Sequence, residues 1–116
     1  MDVWKQASYV GMVVGMIGLL AISVGNLFGQ DAAKGKAVFE TNCQICHESE
    51  SEATKVGPGL KGWSKRPPHE FNGKQHTHNE ATLREQVKNG SNAMPPMGSL
   101  VSDAELNDLV AYILSL

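Results

Sequence analysis

A long stretch without charge divides this chain into two physically different parts. Between residues 6 and 30 there is no aspartate, glutamate, lysine or arginine, and apart from Asp2 and Lys5 every charged side chain lies beyond it. Residues 31–116 have the size of one small domain. We therefore predict a tail and anchor over residues 1–30 and a second domain over residues 31–116.

The apolar run from Tyr9 to Phe28 predicts an N-terminal transmembrane helix. Its twenty residues would span roughly 30 Å as a helix, the thickness of the hydrocarbon core of a bilayer. Trp4, Tyr9 and Phe28 are aromatic residues suited to the two interfaces. The alternatives are a cleavable signal peptide, whose apolar region is usually shorter, and a buried helix, which the remaining residues are too few to enclose.

Glycines in this segment share one side of the predicted helix, within an arc of roughly 80°. Small residues on one face allow close packing against another membrane helix, so this face is a candidate contact with subunits of an integral membrane redox complex. The alternative is the general abundance of glycine in membrane helices. The glycines are Gly11, Gly15, Gly18, Gly25 and Gly29.

Composition excludes several classes of protein. The chain is 41% hydrophobic with a net charge of −2, which fits neither a basic nucleic-acid binder nor an acidic disordered chain. Its two cysteines are too few for a disulfide scaffold or a four-thiolate zinc site.

The sequence Cys43-Gln44-Ile45-Cys46-His47 has the C-x-x-C-H pattern of covalent haem attachment. The two thiols can form thioethers with the haem, and the adjacent histidine can ligate the iron. A thiol redox pair is the first alternative, but it belongs in a βαβ context that this sequence lacks.

A zinc site is the second alternative, and it needs two further ligands. The spacing of the available histidines differs from that of familiar zinc fingers, and the same residues could instead form an alternative sixth ligand, a pH-sensitive contact surface or simply a solvated loop. They are His69, His76 and His78.

Beyond the apolar segment the only methionines are Met94 and Met97, in a loop rich in proline and glycine. A thioether is a soft ligand that pairs with histidine in electron-transfer haems. One of the two methionines is therefore a candidate iron ligand.

These motifs and their order resemble the small bacterial class I cytochromes c that carry one haem, over residues 31–116. The resemblance implies one covalent haem c, with Cys43 and Cys46 as attachment sites and His47 as a ligand. It favours Met94, with Met97 as the alternative. It further implies that the carbonyl of Pro58 accepts the Nδ1 proton of His47. The matching elements are Gly35 and Phe39, the Gly57-Pro58-Gly59-Leu60 loop, the Asn89-Gly90 to Met94-Pro95 loop, and a last helix containing Tyr112.

Local patterns agree with an all-α fold of three to four helices around the haem, preceded by the transmembrane helix. Ser102 and Glu105 form a capping box before an apolar helical stripe. Residues 53–80 show no convincing strand alternation, so we predict loop there. Candidate haem neighbours are Leu60, Trp63 and Phe71.

Two protein ligands saturate the iron, which favours electron transfer over catalysis, so we predict an electron carrier and no enzyme. Only Gly29, Gln30 and Asp31 join the apolar segment to the first predicted helix, which predicts a fixed subunit of a membrane respiratory or photosynthetic complex with redox donor and acceptor proteins. Alternatives are a free-standing anchored donor, a haem-based gas sensor and a zinc-stabilised interaction module.

The resemblance also predicts a location. Haem attachment to C-x-x-C-H occurs outside the cytoplasm in bacteria, so we expect a single-pass protein of the bacterial inner membrane with its haem domain on the periplasmic side.

Overall fold

The computed structural model of the protein describes residues 30–116, which form three helices and one short hairpin. A single 3₁₀ turn, Trp63–Lys65, lies between the first helix and the hairpin. The elements are α1 (Ala32–Asn42), β1 (His69–Phe71), β2 (Lys74–His76), α2 (Glu80–Asn89) and α3 (Asp103–Leu114).

A polar side chain caps the start of each helix. Asp31 accepts hydrogen bonds from two backbone N–H groups at the start of α1, and Asn79 accepts one from Thr82 at the start of α2. At α3, Ser102 and Glu105 form the reciprocal capping box predicted from the sequence. Local signals therefore fix where each helix begins.

The core forms where α1 crosses α3. A Cβ atom at Gly35 would lie 2.8 Å from the Cβ of Tyr112 and closer still to the backbone of Asp108, so only glycine permits this approach. Phe39 and Tyr112 pack edge to face with ring centroids 5.7 Å apart. This confirms the crossing that the family resemblance implied. The other buried apolar residues are Leu60, Trp63, Leu83, Val87, Met97, Val101, Leu106, Leu109, Val110 and Ile113.

The hairpin corrects the all-α prediction for residues 53–80. Its strands pair antiparallel, with His69 opposite His76, around a turn in which Asn72 and Gly73 have φ of 53° and 72°. Asn-Gly favours such turns because both residues tolerate positive φ. The prediction of loop was wrong here because strands of three residues are too short for an alternation of polar and apolar residues to be detected.

The transmembrane helix in the predicted fold class is also corrected. Among residues 30–116, no helix is long and apolar enough to cross a membrane. The segment Tyr9–Phe28, its glycine face and all of the domain assigned to residues 1–30 except Gln30 lie outside the described residues. The fold that the structure supports for residues 30–116 is thus a helical fold with one small hairpin.

Candidate functional site

The C-x-x-C-H segment forms a tight turn directly after α1. Cys43 caps the end of that helix, and its carbonyl accepts hydrogen bonds from the backbone N–H groups of Cys46 and His47 at 3.1 and 2.9 Å. The turn brings the two cysteines and His47 to the wall of one cavity. Ile45, between the cysteines, exposes 76% of its surface.

Backbone on the following loop holds the imidazole of His47. Its Nδ1 lies 2.8 Å from the carbonyl oxygen of Pro58, and since a carbonyl can only accept, Nδ1 carries the proton. A Cβ at Gly57 would lie 2.8 Å from Nδ1 and 3.0 Å from Nε2, so the absence of a side chain there makes room for the ring. A bond of this kind orients a ligating histidine and raises its basicity.

Met94 and Met97 occupy different environments. Met94 is half-buried and lines the cavity, and its Sδ lies 3.4 Å from the Nε2 of Gln86. Gln86 also donates to the hydroxyl of Ser91 at 2.6 Å, which ties the methionine loop to α2. Met97 is buried in the core, and its backbone N–H donates to the carbonyl of Val87 at 2.8 Å.

The thiol of Cys43 does not resemble that of a redox-active pair. Burial, with a smaller contribution from the charge of Cys46, raises the pKa of Cys43 to about 11. Redox-active cysteines instead have a lowered pKa, because the thiolate is the reactive form. This thiol is protonated at neutral pH, which disfavours the thiol–disulfide alternative.

The cavity has a volume of about 410 Å³ and mostly apolar walls. That is within the usual range of binding sites for large organic molecules. Two thiols, one imidazole and one thioether are the groups that attach and ligate a haem, and the space beside His47 is kept open by Gly57. The donor set and the walls therefore fit a haem. The lining includes every predicted site residue except Met97, namely Cys43, Cys46, His47, Pro58, Leu60, Trp63, Phe71 and Met94.

Three histidines that the sequence left without a role line the same cavity. The ring centroids of His69, His76 and His78 lie 5.1 Å apart in each of the three pairs. Burial is the main factor that lowers the pKa of His76 and of His78, and the charges of the neighbouring histidines lower both further. Within residues 30–116, no group of three or more His, Cys, Asp or Glu residues is arranged to hold a metal ion.

Gln86 and Arg66 also line the cavity wall, although no sequence pattern pointed to either of them. No motif marks Gln86, since its role depends on a contact with a loop eight residues away. Arg66 donates from Nη2 to the carbonyls of Gly59 and Lys61 at 2.6 and 2.8 Å. The loop conformation that brings these groups together cannot be recognised from the spacing of residues in the sequence.

Comparison with known proteins decides the family. Residues 30–113 match the family model described as cytochrome c oxidase, cbb3-type, subunit III. The chain belongs to the class I monohaem cytochromes c. It is an electron carrier and not an enzyme, and it carries one covalent haem c.

Individual relatives agree with the family model. The cytochrome is 36% identical over 93 residues to cytochrome c6 of Synechocystis sp., covering 79% of this chain and 72% of that protein. It is 36% identical over 86 residues to cytochrome c6 of Diacronema lutheri, covering 73% and 95%. The structure of cytochrome c6 from the diatom Phaeodactylum tricornutum matches with a TM-score of 0.55 at 28% identity, covering 73% of this chain and 92% of that one.

The predicted location is corrected by the same findings. A single-pass protein of the inner membrane with a periplasmic haem domain was expected from the apolar segment together with the family resemblance. The relatives above are cytochromes c6, and no helix in the described part of the cytochrome could span a membrane. The predicted single-pass location in the inner membrane is therefore wrong.

Proposed function

We propose that His47 and Met94 would hold the haem iron through nitrogen and sulfur and that Cys43 and Cys46 would carry its thioether links. The observation that carries this proposal is that all four side chains line one apolar cavity, whereas Met97 packs in the core. The bound haem supplies a one-electron Fe(III)/Fe(II) couple.

The protein's own contribution is to hold both ligands in place. Pro58 accepts the Nδ1 proton of His47, so the other ring nitrogen is left with a free lone pair for the metal. Gln86 holds the methionine loop through Ser91 and through the sulfur of Met94. A thioether ligand favours the reduced iron and raises the potential.

Replacing each methionine separately tests the ligand set. We expect Met94→Ala to abolish the ferric iron–sulfur absorption band, lower the midpoint potential and allow carbon monoxide to bind the reduced protein. The matched control, Met97→Leu, keeps the band because Met97 faces the core. Loss of the band in Met97→Leu, with an unchanged spectrum in Met94→Ala, would transfer the role to Met97.

The proposed physiological role is that of an electron-transfer subunit of a larger respiratory or photosynthetic redox complex. Support comes from the matched family model, whose description names an oxidase subunit. Apolar surface near the site also suits contact with a protein partner: Val56, which lines the cavity, exposes 71% of its surface, and Leu100 beyond the methionine loop exposes 65%. The second candidate is a free-standing electron donor, which the cytochrome c6 relatives favour.

Dilution separates a subunit from a free-standing donor. In a gently purified preparation, reoxidation of a subunit by its complex is a first-order process, and its rate constant is unchanged by tenfold dilution. Reoxidation of a diffusing donor is second-order, so its rate falls in proportion. A cytochrome that elutes alone, with a rate that follows dilution, would refute the subunit role.

Simple measurements would distinguish this cytochrome from two other classes of protein. A haem-based gas sensor would bind carbon monoxide rapidly in the unmodified reduced protein, whereas a six-coordinate carrier binds it poorly. A zinc-stabilised module would hold zinc in place of haem, and its polypeptide would be colourless after acid–acetone extraction.

A further inference from the structure

The chain contains two asparagine–glycine pairs, Asn72-Gly73 and Asn89-Gly90. An asparagine side chain is chemically least stable in this dipeptide, because glycine has no Cβ to hinder attack by its backbone nitrogen on the side-chain carbonyl carbon. The side chains of both asparagines are exposed. The two pairs therefore have similar intrinsic reactivity, and any difference between them comes from the fold.

Gly73 lies in an open turn. It is the second residue of the two-residue turn between β1 and β2, and a Cβ atom built on it would meet no atom of residues 30–116 within 4 Å. No backbone carbonyl in the described part of the chain accepts a hydrogen bond from its N–H. Because two-stranded hairpins with short strands are only marginally stable, this turn opens readily. The backbone nitrogen of Gly73 is thus free to attack the side chain of Asn72.

Gly90, in contrast, is held firmly at the end of α2. Its N–H donates to the carbonyl of Gln86 at 2.9 Å. A Cβ atom on Gly90 would lie 2.7 Å from the backbone of Pro95 and of Pro96, so the methionine loop packs directly against this glycine. Attack on the side chain of Asn89 requires the hydrogen bond to break and the loop to move away. The fold therefore protects the second pair.

The turn of the hairpin also contacts the turn that carries Met94. Ser91 and Met94 pair through two backbone hydrogen bonds of 3.1 and 2.8 Å, which places Asn92 in a tight turn between them. The side-chain amide of Asn72 donates to the side-chain carbonyl of Asn92 at 3.4 Å. A contact between the tip of the hairpin and the methionine turn, residues 91–94, therefore depends on the amide group of Asn72.

We propose that Asn72 is a site of spontaneous deamidation in the folded protein, that Asn89 is protected from the same reaction, and that deamidation removes the contact between the hairpin and the methionine turn. The co-reactant is water. The proposal is independent of the ligand set and of the partner complex proposed above, because it involves neither the iron nor a second protein.

The reaction balances in two steps. In the first, the backbone nitrogen of Gly73 gives its proton to solvent and forms a bond to Cγ of Asn72, while the side-chain nitrogen takes up a proton and leaves as ammonia. In the second, water adds to one of the two carbonyls of the resulting succinimide ring and opens it. One carbonyl yields aspartate at position 72, and the other yields isoaspartate, whose main chain runs through the former side chain. Water is consumed, ammonia is released, and no electron is transferred.

Either product changes the contact with the methionine turn. A carboxylate is negative at neutral pH and can only accept hydrogen bonds, so the bond that Asn72 donates to Asn92 is lost. Isoaspartate also lengthens the main chain within a turn whose shape depends on positive φ at Asn72 and Gly73. We therefore expect the hairpin tip to separate from the methionine turn.

The experiment follows deamidation of the full-length holoprotein over time at mildly alkaline pH. Samples are digested, and the peptides that contain positions 72 and 89 are quantified separately by mass spectrometry. We expect Asn72 to react faster than Asn89 by about tenfold or more, because a hydrogen bond must break and a loop must move before Gly90 can attack. In concentrated urea, which unfolds both segments, the two rates are expected to become similar.

Matched variants test the site and its effect. Asn72→Gln is expected to abolish the fast reaction and Asn89→Gln to leave it unchanged. Asn72→Asp has the charge of the product, and we expect the backbone N–H groups of Ser91 and Met94 to exchange with deuterium faster in it than in the wild type. Thr54→Asp adds the same charge at an exposed position on another loop and is expected to exchange at the wild-type rate.

Two results would overturn the proposal. If the two asparagines react at equal rates in the folded protein, or Asn89 reacts faster, the fold does not select Asn72. If exchange at the methionine turn is the same in Asn72→Asp as in the wild type, the amide of Asn72 does not hold the hairpin against that turn.

Discussion

The close approach of Gly57 to His47 gives a quantitative prediction for Gly57→Ala. The added methyl carbon would lie 2.8 Å from Nδ1, whereas ordinary contact begins at 3.4 Å, so ring or loop must move by at least 0.6 Å. The loop is held on both sides, since the N–H of Gly57 donates to Cys46 at 2.7 Å and its carbonyl accepts from Lys55 at 2.9 Å. We therefore expect the imidazole to move.

Two costs follow from that movement. Overpacking costs about 1–3 kcal/mol, and loss of the bond from Nδ1 to Pro58 costs a further 0.5–1.5 kcal/mol or so. Taking a total of about 2 kcal/mol, near the lower end of the combined range, the melting temperature of a domain of this size falls by roughly 8–16 °C. Loss of the bond also makes the imidazole less basic, which weakens its preference for the oxidised iron, so the midpoint potential rises.

Thermal melts of the holoprotein, followed by circular dichroism, and a redox titration test both effects. Gly98→Ala is the matched control, because its methyl carbon would lie 3.2 Å from the carbonyl oxygen of Lys88 and far from the histidine ligand along the chain. If Gly57→Ala melts within 2 °C or so of that control, with an unchanged potential, the contact does not hold the ring.

Three further predictions concern the helices. Gly35→Ala places a methyl group against the backbone of Asp108, and neither helix can move away from this contact. We therefore expect the free energy of unfolding in urea to fall by about 3 kcal/mol or more. A fall of less than about 1 kcal/mol would refute this prediction. Ser102→Ala removes the cap of α3 and is expected to cost about 1 kcal/mol. The backbone N–H of Ser102 lowers the pKa of Glu105, so the stability due to that carboxylate is present at neutral pH and lost as the pH falls through its lowered pKa. The melting difference between wild type and Glu105→Gln should therefore disappear in acid, and a constant difference would contradict it.

The features that could be predicted from the sequence are those that depend only on contacts within a short segment. The capping box at Ser102 needs only a side chain and its neighbour three residues on, and both bonds are present. The C-x-x-C-H motif likewise forms its turn through bonds within five residues. The hairpin at residues 69–76 was missed although Asn72-Gly73 is a strong turn signal, because its strands are three residues long and contain one apolar residue between them, Phe71, which is too little to show a hydrophobic face.

Orientation of the site residues, in contrast, depends on contacts between distant segments. The ring of His47 is set by a carbonyl eleven residues away, and the Met94 loop by an amide on α2. His78 lies against a tryptophan from the 3₁₀ turn, which no spacing rule links to the hairpin. Residue types at fixed spacing therefore reveal which chemistry is available, whereas packing determines which nitrogen or sulfur faces the cavity. For this reason residue chemistry alone left both methionines as candidate ligands and only the family resemblance favoured Met94, whereas in the structure Met97 packs in the core and Met94 lines the cavity.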